Sequence, residues 1–322
     1  MGAHIGFDER YEDRKGFDTA FLRPGKADAN VLLPALSPAL AQKATRLTAT
    51  PKQVVLRYRH FSVVLHKVRR FAIYSAANVD FKGHYDLARP KDAWRLDPRV
   101  APDAQVGERL YRDNAFDRGH LTRREDQEFG SSPDDAIASA ADTCHWTNCT
   151  PQHAKFNQGS QLWQGLERHI LEGAVDADHF RAQVITGPVF DSKYPVLRGF
   201  ETTPYPLRYW KVVAAINRSG KLFATAYLLD QRNTIAQFGL RGAPDIPFTP
   251  FKTYQTTIEA IERLAQLTFT GTNGSSRMSL SAFDPLSQRN ARSFLRAGAA
   301  RTSRGASAQI PIATLDDLVL KP

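Results

Sequence analysis

Runs of hydrophobic residues with strand-like composition dominate the middle of the chain. The segments at 54–67 (VVLRYRHFSVVLHK) and 69–81 (RRFAIYSAANVDF) are rich in β-branched and aromatic residues and meet at the basic pair Arg69–Arg70. Two such runs joined by a short turn predict an antiparallel hairpin. Further strands are predicted at 181–190, at 209–230 with a turn at its NRSG sequence, and near Ile246.

Hydrophobic residues at helical spacing occur in two places. In QLWQGLERHILEG, Leu162, Leu166 and Ile170 recur on one side, and Gly173 is a stop signal. In TYQTTIEAIERLAQLT, a helix is predicted to start after a cap at Thr253 and to bury its Ile and Leu side chains. Strands outnumber helices, so the pattern favours an α+β fold with a central antiparallel sheet flanked by helices.

Changes in composition divide the chain into three parts. Residues 1–50 are rich in Pro, Ala and Leu without a sustained period, and they are interpreted as an extended N-terminal arm lying on the main domain. Residues 51–285 carry the predicted strands and helices and form the main domain. Residues 286–322 hold six Arg and Lys against two Asp in a Ser/Ala/Gly-rich stretch. They are interpreted as a mobile basic tail whose apolar end, IPIATLDDLVL, docks on the body.

Composition and charge narrow the class of protein. The chain has 322 residues, 42% of them hydrophobic, which is enough to bury a core and argues against disorder. Its net charge of +10 suits a polyanionic partner. Only Cys144 and Cys149 are present, which excludes a disulfide framework and matches no zinc spacing. The charged N-terminus and the lack of a long apolar run predict a protein that is cytoplasmic, or exported without a conventional signal, and has no membrane partner.

The sharpest local motif is Asp117-Arg118-Gly119-His120-Leu121. Glycine between arginine and histidine allows a close backbone approach or a positive φ, so that charged side chains converge on one small site. Neutral imidazole, with an ordinary pKa near 6.5, can take a proton from water at neutral pH. A guanidinium beside it can offset charge that builds on a phosphate.

A second group of motifs follows within fifty residues. It comprises NCTPQ at 148–152, FNQG at 156–159, and Trp163 followed by Leu166-Glu167. With Asn157 near the start of a helix and Glu167 about three turns on, an amide oxygen and a carboxylate align along one side. Oxygen donors of this kind suit Mg²⁺, which keeps most of its waters and needs few protein ligands.

These motifs, together with the later ITGPVF strand, resemble the DNA/RNA non-specific endonucleases. This family contains the ββα-metal nucleases of the Serratia type and endonuclease G, and the resemblance covers roughly residues 50–285. It implies a ββα-metal active-site motif and a Mg²⁺-dependent, sequence-non-specific endonuclease of DNA and RNA, with Mn²⁺ able to substitute. Contacts confined to phosphates and sugars would account for the indifference to sequence.

The resemblance also implies roles for individual residues. His120 is the general base, Asn157 binds the metal, and Glu167 orients the hydrated metal through water. Arg118 lies beside the scissile phosphate, and Asp117 helps to position the strand and the histidine. The spacing between Asn157 and Glu167 is longer than in the classical members, which makes Asn157 the firmer assignment.

An upstream arginine that contacts phosphate is also implied, usually just before a DP-containing segment. Arg89 and Arg95 both precede Asp97-Pro98, and the sequence does not decide between them. Arg123-Arg124, with Glu125 and Asp126, is interpreted as a solvated turn. A zinc site is rejected because no pair among five further histidines has convincing ligand spacing. These histidines are His60, His66, His145, His153 and His169.

Two other functions compete with the nuclease: a same-fold protein that binds nucleic acid without cleaving it, and a phosphodiesterase for small diesters. A non-specific nuclease also needs restraint in its own cell, so an inhibitor protein or an activating protease is an expected partner. Asp316 and Asp317 of the tail are candidates for covering the basic groove until the Arg-rich stretch is cut. The sequence leaves the oligomeric state open.

Overall fold

The computed structural model describes residues 9–23, 28–88, 92–153, 181–217, 219–232, 235, 252–288 and 309–312. The strands in these ranges are β1 (Ala35–Leu36), β2 (Val55–Arg57), β3 (Phe61–Leu65), β4 (Ala72–Asp80), β5 (Phe116–His120), β6 (Cys149–His153), β7 (Arg181–Pro188), β8 (Arg208–Ile216), β9 (Leu222–Asp230), β10 (Lys252–Thr256), β11 (Leu267–Thr268), β12 (Thr270–Asn273), β13 (Ser276–Ser279) and β14 (Gln309–Ile312).

The helices in the same ranges are short. They are α1 (Pro38–Ala41), α2 (Pro133–Asp142), α3 (Ile258–Ala265) and α4 (Pro285–Gln288), with 3₁₀ turns at Pro102–Ala104, Glu108–Tyr111, Glu125–Gln127, Trp146–Asn148 and Leu280–Phe283. Nowhere in the described ranges does a helix combine the length and the apolar character that crossing a bilayer requires.

A large antiparallel sheet forms the centre of the described structure. Its strand order is β14-β10-β9-β8-β7-β4-β3-β2. The predicted hairpin is the β3–β4 pair, with Phe61 opposite Ala77, and its basic turn places Arg70 at a positive φ of 59°. The predicted turn between β8 and β9 is also present, since the Gly220 N–H donates to the Asn217 carbonyl at 2.8 Å. The α+β prediction with a central antiparallel sheet is confirmed.

Both faces of this sheet are covered, because side chains alternate between faces along each strand. In β8, Trp210 and Val212 enter the main core cluster, whereas Tyr209 belongs to a second cluster on the other side. The main cluster also takes side chains from the predicted N-terminal arm, among them Phe17 and Val31. The apolar residues of this segment therefore contribute to the core itself.

Helix α3 begins later than the sequence pattern predicted. The cap is Thr257, whose side chain accepts a hydrogen bond from the Ala260 N–H at 3.2 Å, and not Thr253. Thr253 lies in β10, where it pairs with Leu229 of β9. The pairing of β10 with its neighbours claims these residues as strand, so tertiary contacts override their local helix preference. The predicted burial on one side holds, since Ile258 and Ile261 are fully buried.

Candidate active site

The DRGH motif is an entire strand, β5, which forms an antiparallel hairpin with β6. Arg118 lies opposite Pro151, and His120 lies opposite Cys149. Because strand side chains alternate, Arg118 and His120 share one face of the hairpin, and Asp117 lies on the other. Arg118 is exposed and His120 is half-buried. The two groups of the proposed chemistry thus lie side by side with access to solvent.

Glycine is needed at position 119 because the Gln152 side chain lies too close for any Cβ. Its φ is not positive, so backbone conformation does not require glycine there. A Cβ at Gly119 would come within 2.3 Å of Cδ and 2.4 Å of Cγ of Gln152 on the paired strand. Contacts this short cannot be accommodated without moving the Gln152 side chain, which is buried. Of the two roles predicted for Gly119, a close backbone approach and a positive φ, the structure shows the close approach.

The hairpin is attached to the central sheet by buried polar contacts. The Tyr209 hydroxyl of β8 donates to the Pro151 carbonyl at 2.7 Å. The Ser75 hydroxyl of β4 lies 2.6 Å from the hydroxyl of Thr122, in the turn after β5. Gln231 donates to the same Pro151 carbonyl at 3.3 Å. These contacts fix the position of β5 and β6 against a rigid face of the sheet.

Asn148 holds the turn that follows His120. Its Nδ2 donates to the carbonyls of Thr122 and Thr143, at 2.9 and 3.0 Å, and its Oδ1 accepts from the Thr122 N–H at 3.0 Å. The Leu121 N–H donates to the Asn148 carbonyl at 3.0 Å. Asn148 is fully buried, so each of these bonds replaces a contact with water. The asparagine of NCTPQ is therefore a positioning residue for His120.

An aromatic wall lies beside His120. The ring of Trp94 is 4.6 Å from the His120 ring, centroid to centroid, and stacks at 5.1 Å on Trp146. Trp146 stacks in turn on Tyr111 at 5.5 Å. These rings restrict the orientation of the imidazole on one side and leave its other side to the polar groups of the site.

Two potential metal ligands lie beside His120 in the structure. Cys144 Sγ is 4.0 Å from His120 Nε2, and ligand atoms of Asp92, His120 and Cys144 all lie within 4.8 Å of one another. Cys144 is a buried free thiol, and burial raises its pKa to about 11. A thiol is a poor ligand for Mg²⁺. This donor set therefore does not fit the metal that the family resemblance implies.

Arg118 is paired with a carboxylate in an exposed position. Its Nε donates to Glu108 Oε2 at 3.1 Å, and its guanidinium also lies 6.0 Å from the centre of the Trp146 ring. The two side chains of the ion pair are 42% and 49% exposed. Exposed pairs contribute little net free energy, about 0–1 kcal/mol. Exchange of Glu108 for a phosphate oxygen at Arg118 is thus energetically easy.

Arg95 is a backbone neighbour of the site. Its N–H donates to the Cys144 carbonyl at 3.0 Å, and its carbonyl accepts from the Trp146 N–H at 3.0 Å. The side chain is half-buried, and burial lowers the pKa of its guanidinium. Arg89, the other candidate for the upstream phosphate contact, lies outside the described residues, as do Asn157 and Glu167.

The interpretation of Arg123-Arg124 as a solvated turn is wrong. Arg124 and Asp126 are buried, at 6% and 7% exposure, and Arg124 forms an ion pair with Glu128 at 3.4 Å. Arg123 pairs with Glu125 and Asp126. Basic and acidic residues pair with one another here, and Arg124 and Asp126 do so inside the fold, which a charge pattern alone does not distinguish from a surface turn.

Behind the site, the segment after α2 is clamped by the N-terminal part of the chain. Arg14 donates from Nε to Asp142 Oδ2 at 2.8 Å and from Nη2 to Oδ1 at 2.9 Å. Both side chains are almost completely buried. His145, three residues on, donates from Nδ1 to the Asp142 carbonyl at 2.7 Å and accepts at Nε2 from the Tyr11 hydroxyl at 2.8 Å. Burial lowers the pKa of His145 to about 4. These contacts fix the segment that carries Cys144, Trp146 and Asn148.

A buried carboxylate stabilises the neighbouring loop. Asp97 accepts from Arg99 Nη2 at 2.7 Å and from the Tyr58 hydroxyl at 2.6 Å. Burial alone would raise the pKa of Asp97, but the hydrogen bonds and charge of Arg99 hold it below its ordinary value. The aspartate of the DP segment thus has a structural role, two residues from Arg95.

Four residues of the site were not found from the sequence: Asp92, Trp94, Cys144 and Trp146. They surround His120 or its neighbours but belong to segments well separated from DRGH, and none of them stands in a motif of its own. Asn148 was part of a recognised motif, but its hydrogen bonds to the turn after His120 required the fold.

Comparison with known proteins identifies the relatives of this arrangement. A family model described as DNA/RNA non-specific endonuclease matches residues 41–274. The chain belongs to this family. The match contains the β5–β6 hairpin and most of the central sheet, and it confirms the family predicted from the motifs.

One curated relative of the chain is the uncharacterized protein y4fB of Sinorhizobium fredii. The two are 36% identical over 249 residues, which is 74% of this chain and 34% of that protein. The chain therefore spans about a third of the length of the relative. Among solved structures, the complex of EndoG with EndoGI, described as showing the mechanism of EndoG inhibition, matches at a TM-score of 0.50 and 21% identity. The match covers 66% of this chain and 84% of that chain, a likeness of fold.

Proposed function

We propose that the chain hydrolyses phosphodiester bonds of DNA and RNA without sequence preference, and that it requires a divalent metal, Mg²⁺ in the first instance. The observation that carries this proposal is the β5–β6 hairpin, which presents an imidazole and a guanidinium on one solvent-accessible face. Membership of the non-specific endonuclease family supports the substrate class. The net charge of +10 supports a polyanionic substrate.

In the proposed reaction, His120 takes a proton from water as the water oxygen forms a bond to phosphorus. The bond from phosphorus to the leaving oxygen breaks, and that oxygen takes up a proton. Arg118 lies beside His120 and, once it exchanges Glu108 for phosphate, offsets charge on the non-bridging oxygens. When bound, Mg²⁺ would add positive charge beside those oxygens and would make a water acidic enough to give the leaving oxygen its proton.

The remaining roles follow the family resemblance. Asn157 would hold the metal, Glu167 would orient its water shell, and Asp117 would position the strand from the opposite face of β5. Arg95 is our candidate for the upstream phosphate contact, since its backbone is bonded to the Cys144 and Trp146 segment beside His120. Arg89 remains the alternative.

We also propose that the activity is restrained by a partner. A nuclease without sequence preference attacks the genome of its own cell unless it is inhibited, activated by a protease, or exported. EndoG, the fold neighbour, is inhibited by EndoGI in the complex that matches this chain, which supports an inhibitor protein as that partner. We propose two alternative locations: the cytoplasm, where the protein is inhibited, or outside the cell after export by a route without a conventional signal.

The test is digestion of plasmid DNA and of a structured RNA by the purified full chain, with Mg²⁺ and with excess EDTA. We expect cleavage of both polymers only with the metal, and a loss of at least about 10²-fold in the His120→Ala variant because the base is removed. The matched control is His84→Ala, which removes an exposed histidine. Undiminished cleavage by His120→Ala, or full activity in EDTA, contradicts the proposal.

A further inference from the structure

The cluster at Asp92, His120 and Cys144 contains the three ligand types that zinc prefers. It offers a carboxylate oxygen, an imidazole nitrogen and a sulfur, all within 4.8 Å of one another. Cys144 Sγ and His120 Nε2 are 4.0 Å apart. In a tetrahedral zinc site, Zn–S bonds of about 2.3 Å and Zn–N bonds of about 2.0 Å put these two atoms about 3.5 Å apart. This pair must therefore close by about half an ångström, and the Asp92 oxygen, which lies within 4.8 Å of both atoms, by as much as about 1.5 Å.

We propose that Asp92, His120 and Cys144 form a zinc site, and that Zn²⁺ in this site inhibits the enzyme by occupying the ring nitrogen of His120. The binding part of this proposal stands on the cluster alone. The inhibition part rests on the proposed function, in which His120 is the base.

The charges of the three ligands suit a divalent cation. A thiolate and a carboxylate together balance Zn²⁺, so the loaded site is neutral. The guanidinium groups of Arg95 and Arg124 act electrostatically on Cys144. They partly offset the burial that raises the pKa of Cys144, and a bound Zn²⁺ would displace the remaining thiol proton. Three protein ligands leave a fourth position for water, as in zinc sites that are not fully closed.

Occupancy removes the chemistry that the nuclease needs. An imidazole nitrogen bonded to Zn²⁺ has no lone pair with which to accept a proton. Mg²⁺ does not compete well for this site, because it prefers oxygen donors and the cluster includes a sulfur. Zinc and the catalytic metal therefore act on different residues, and excess Mg²⁺ does not displace the inhibitor.

The first measurement is binding, on full-length protein without a histidine tag. Cd²⁺ is titrated into the wild type, Cys144→Ser and Cys149→Ala, and the ultraviolet thiolate-to-Cd²⁺ charge-transfer absorption is recorded. We expect one equivalent of this absorption in the wild type and in Cys149→Ala, and none in Cys144→Ser. Cys149 is a matched control because it is also a buried free thiol. Absence of the band in the wild type, or its persistence in Cys144→Ser, overturns the zinc site.

The second measurement is inhibition. Each protein is assayed on plasmid with Mg²⁺ and increasing Zn²⁺, and its rate is expressed relative to its own zinc-free rate. We expect Cys144→Ser and Cys144→Ala to need at least about tenfold more Zn²⁺ for half inhibition, because even the loss of an outer-shell partner typically weakens metal binding by that factor. Asn157→Ala, with the cluster intact, keeps the Cd²⁺ band. Equal zinc sensitivity of the Cys144 variants overturns the inhibition. If the wild type has no nuclease activity, the proposed function fails, and the Cd²⁺ titration still decides the zinc site.

Discussion

The central sheet and the β5–β6 hairpin are stabilised by different kinds of contact. In β8, Trp210, Val212 and Val213 are fully buried among other hydrophobic side chains. Around the hairpin, hydrophobic side chains are also buried, but polar and charged residues such as Asn148 and Asp142 are fully buried among them. The sheet is therefore a packed scaffold, and the segments that carry the site depend on hydrogen bonds and ion pairs with specific partners.

This difference shows how one fold provides both rigidity and reactivity. Burial of apolar surface contributes free energy in rough proportion to area and tolerates small changes in shape. A buried polar group must keep its partners, because losing one leaves an unsatisfied group in a low dielectric. We therefore expect substitutions around the hairpin to cost more stability, and more activity, than substitutions of similar size in the sheet.

The largest stability effect is expected at the Arg14–Asp142 ion pair. Asp142→Ala leaves the Arg14 guanidinium buried without its carboxylate, which typically costs about 3–5 kcal/mol. The control is Asp134→Ala, which removes an exposed carboxylate from the first turn of the same helix and costs about 0.3–1 kcal/mol. Urea denaturation measures both. If the urea midpoints of the two variants agree within error, the Arg14–Asp142 ion pair contributes no more to stability than an exposed carboxylate does.

The second effect is a dependence of stability on pH through His145. Its pKa is about 4 in the folded protein, against 6.5 when unfolded, because burial disfavours the charged ring. Between these values the unfolded chain binds more protons, so stability falls as pH falls from 6.5 to 4, by about 3 kcal/mol in total. Relative to the wild type, His145→Gln should lose less stability over this window, when denaturation is followed at several pH values. The pKa of His66 is also lowered to about 4, so His66 contributes part of the dependence of stability on pH in both proteins. Parallel curves for the two proteins would contradict this assignment.

The third effect separates positioning from stability at Asn148. Asn148→Ala leaves the Thr122 N–H without its side-chain acceptor and should cost about 1–3 kcal/mol. It should also lower kcat while KM changes little, because the turn after His120 loses its support. Ile185→Val, a change within the sheet, should cost about 0.5–1.5 kcal/mol and keep kcat. Steady-state kinetics well below the melting temperature compare them, and an unchanged kcat in Asn148→Ala would limit this residue to a structural role.

The smallest effect is expected at the exposed pair of Glu108 and Arg118. Glu108→Gln frees Arg118 for phosphate, at a cost in stability of less than about 1 kcal/mol. KM for duplex DNA should fall a few-fold, with a steeper dependence on salt, because one more cation is available to the phosphates. Asp113→Asn removes another exposed carboxylate close to β5 and serves as the charge-matched control. A higher KM for Glu108→Gln would mean that the glutamate orients the arginine for substrate.

Much of the fold could be predicted from the chain because its strands are buried on both faces. Continuous apolar runs identified β3, β4, β7, β8 and β9, together with the β3–β4 and β8–β9 turns. The start of α3 was misplaced because Thr253 to Thr256 are strand only through pairing with β9. The helix expected after Asn157 and the strand expected near Ile246 lie outside the described residues.

The site was predictable only as far as its chemistry is local. Arg118 and His120 share a strand, so a short motif was enough to identify them. The surroundings of His120 could not be found in this way, since Trp94 and Cys144 approach it only through tertiary structure. Burial of Arg124 was likewise invisible, because a charged side chain gives no sequence signal of the partner that allows it to be buried.

The most direct test of the account is chemical rescue of His120→Ala. Plasmid cleavage by this variant is measured with Mg²⁺ and increasing free imidazole, beside Asn157→Ala and the wild type. If His120 acts as the base, imidazole entering the space beside Trp94 restores a concentration-dependent part of the His120→Ala rate and leaves the Asn157→Ala rate unchanged. Circular dichroism and melting of the variants establish that they are folded. A folded His120→Ala variant that retains the wild-type rate without imidazole would contradict the central claim that the β5–β6 hairpin supplies the base of this nuclease.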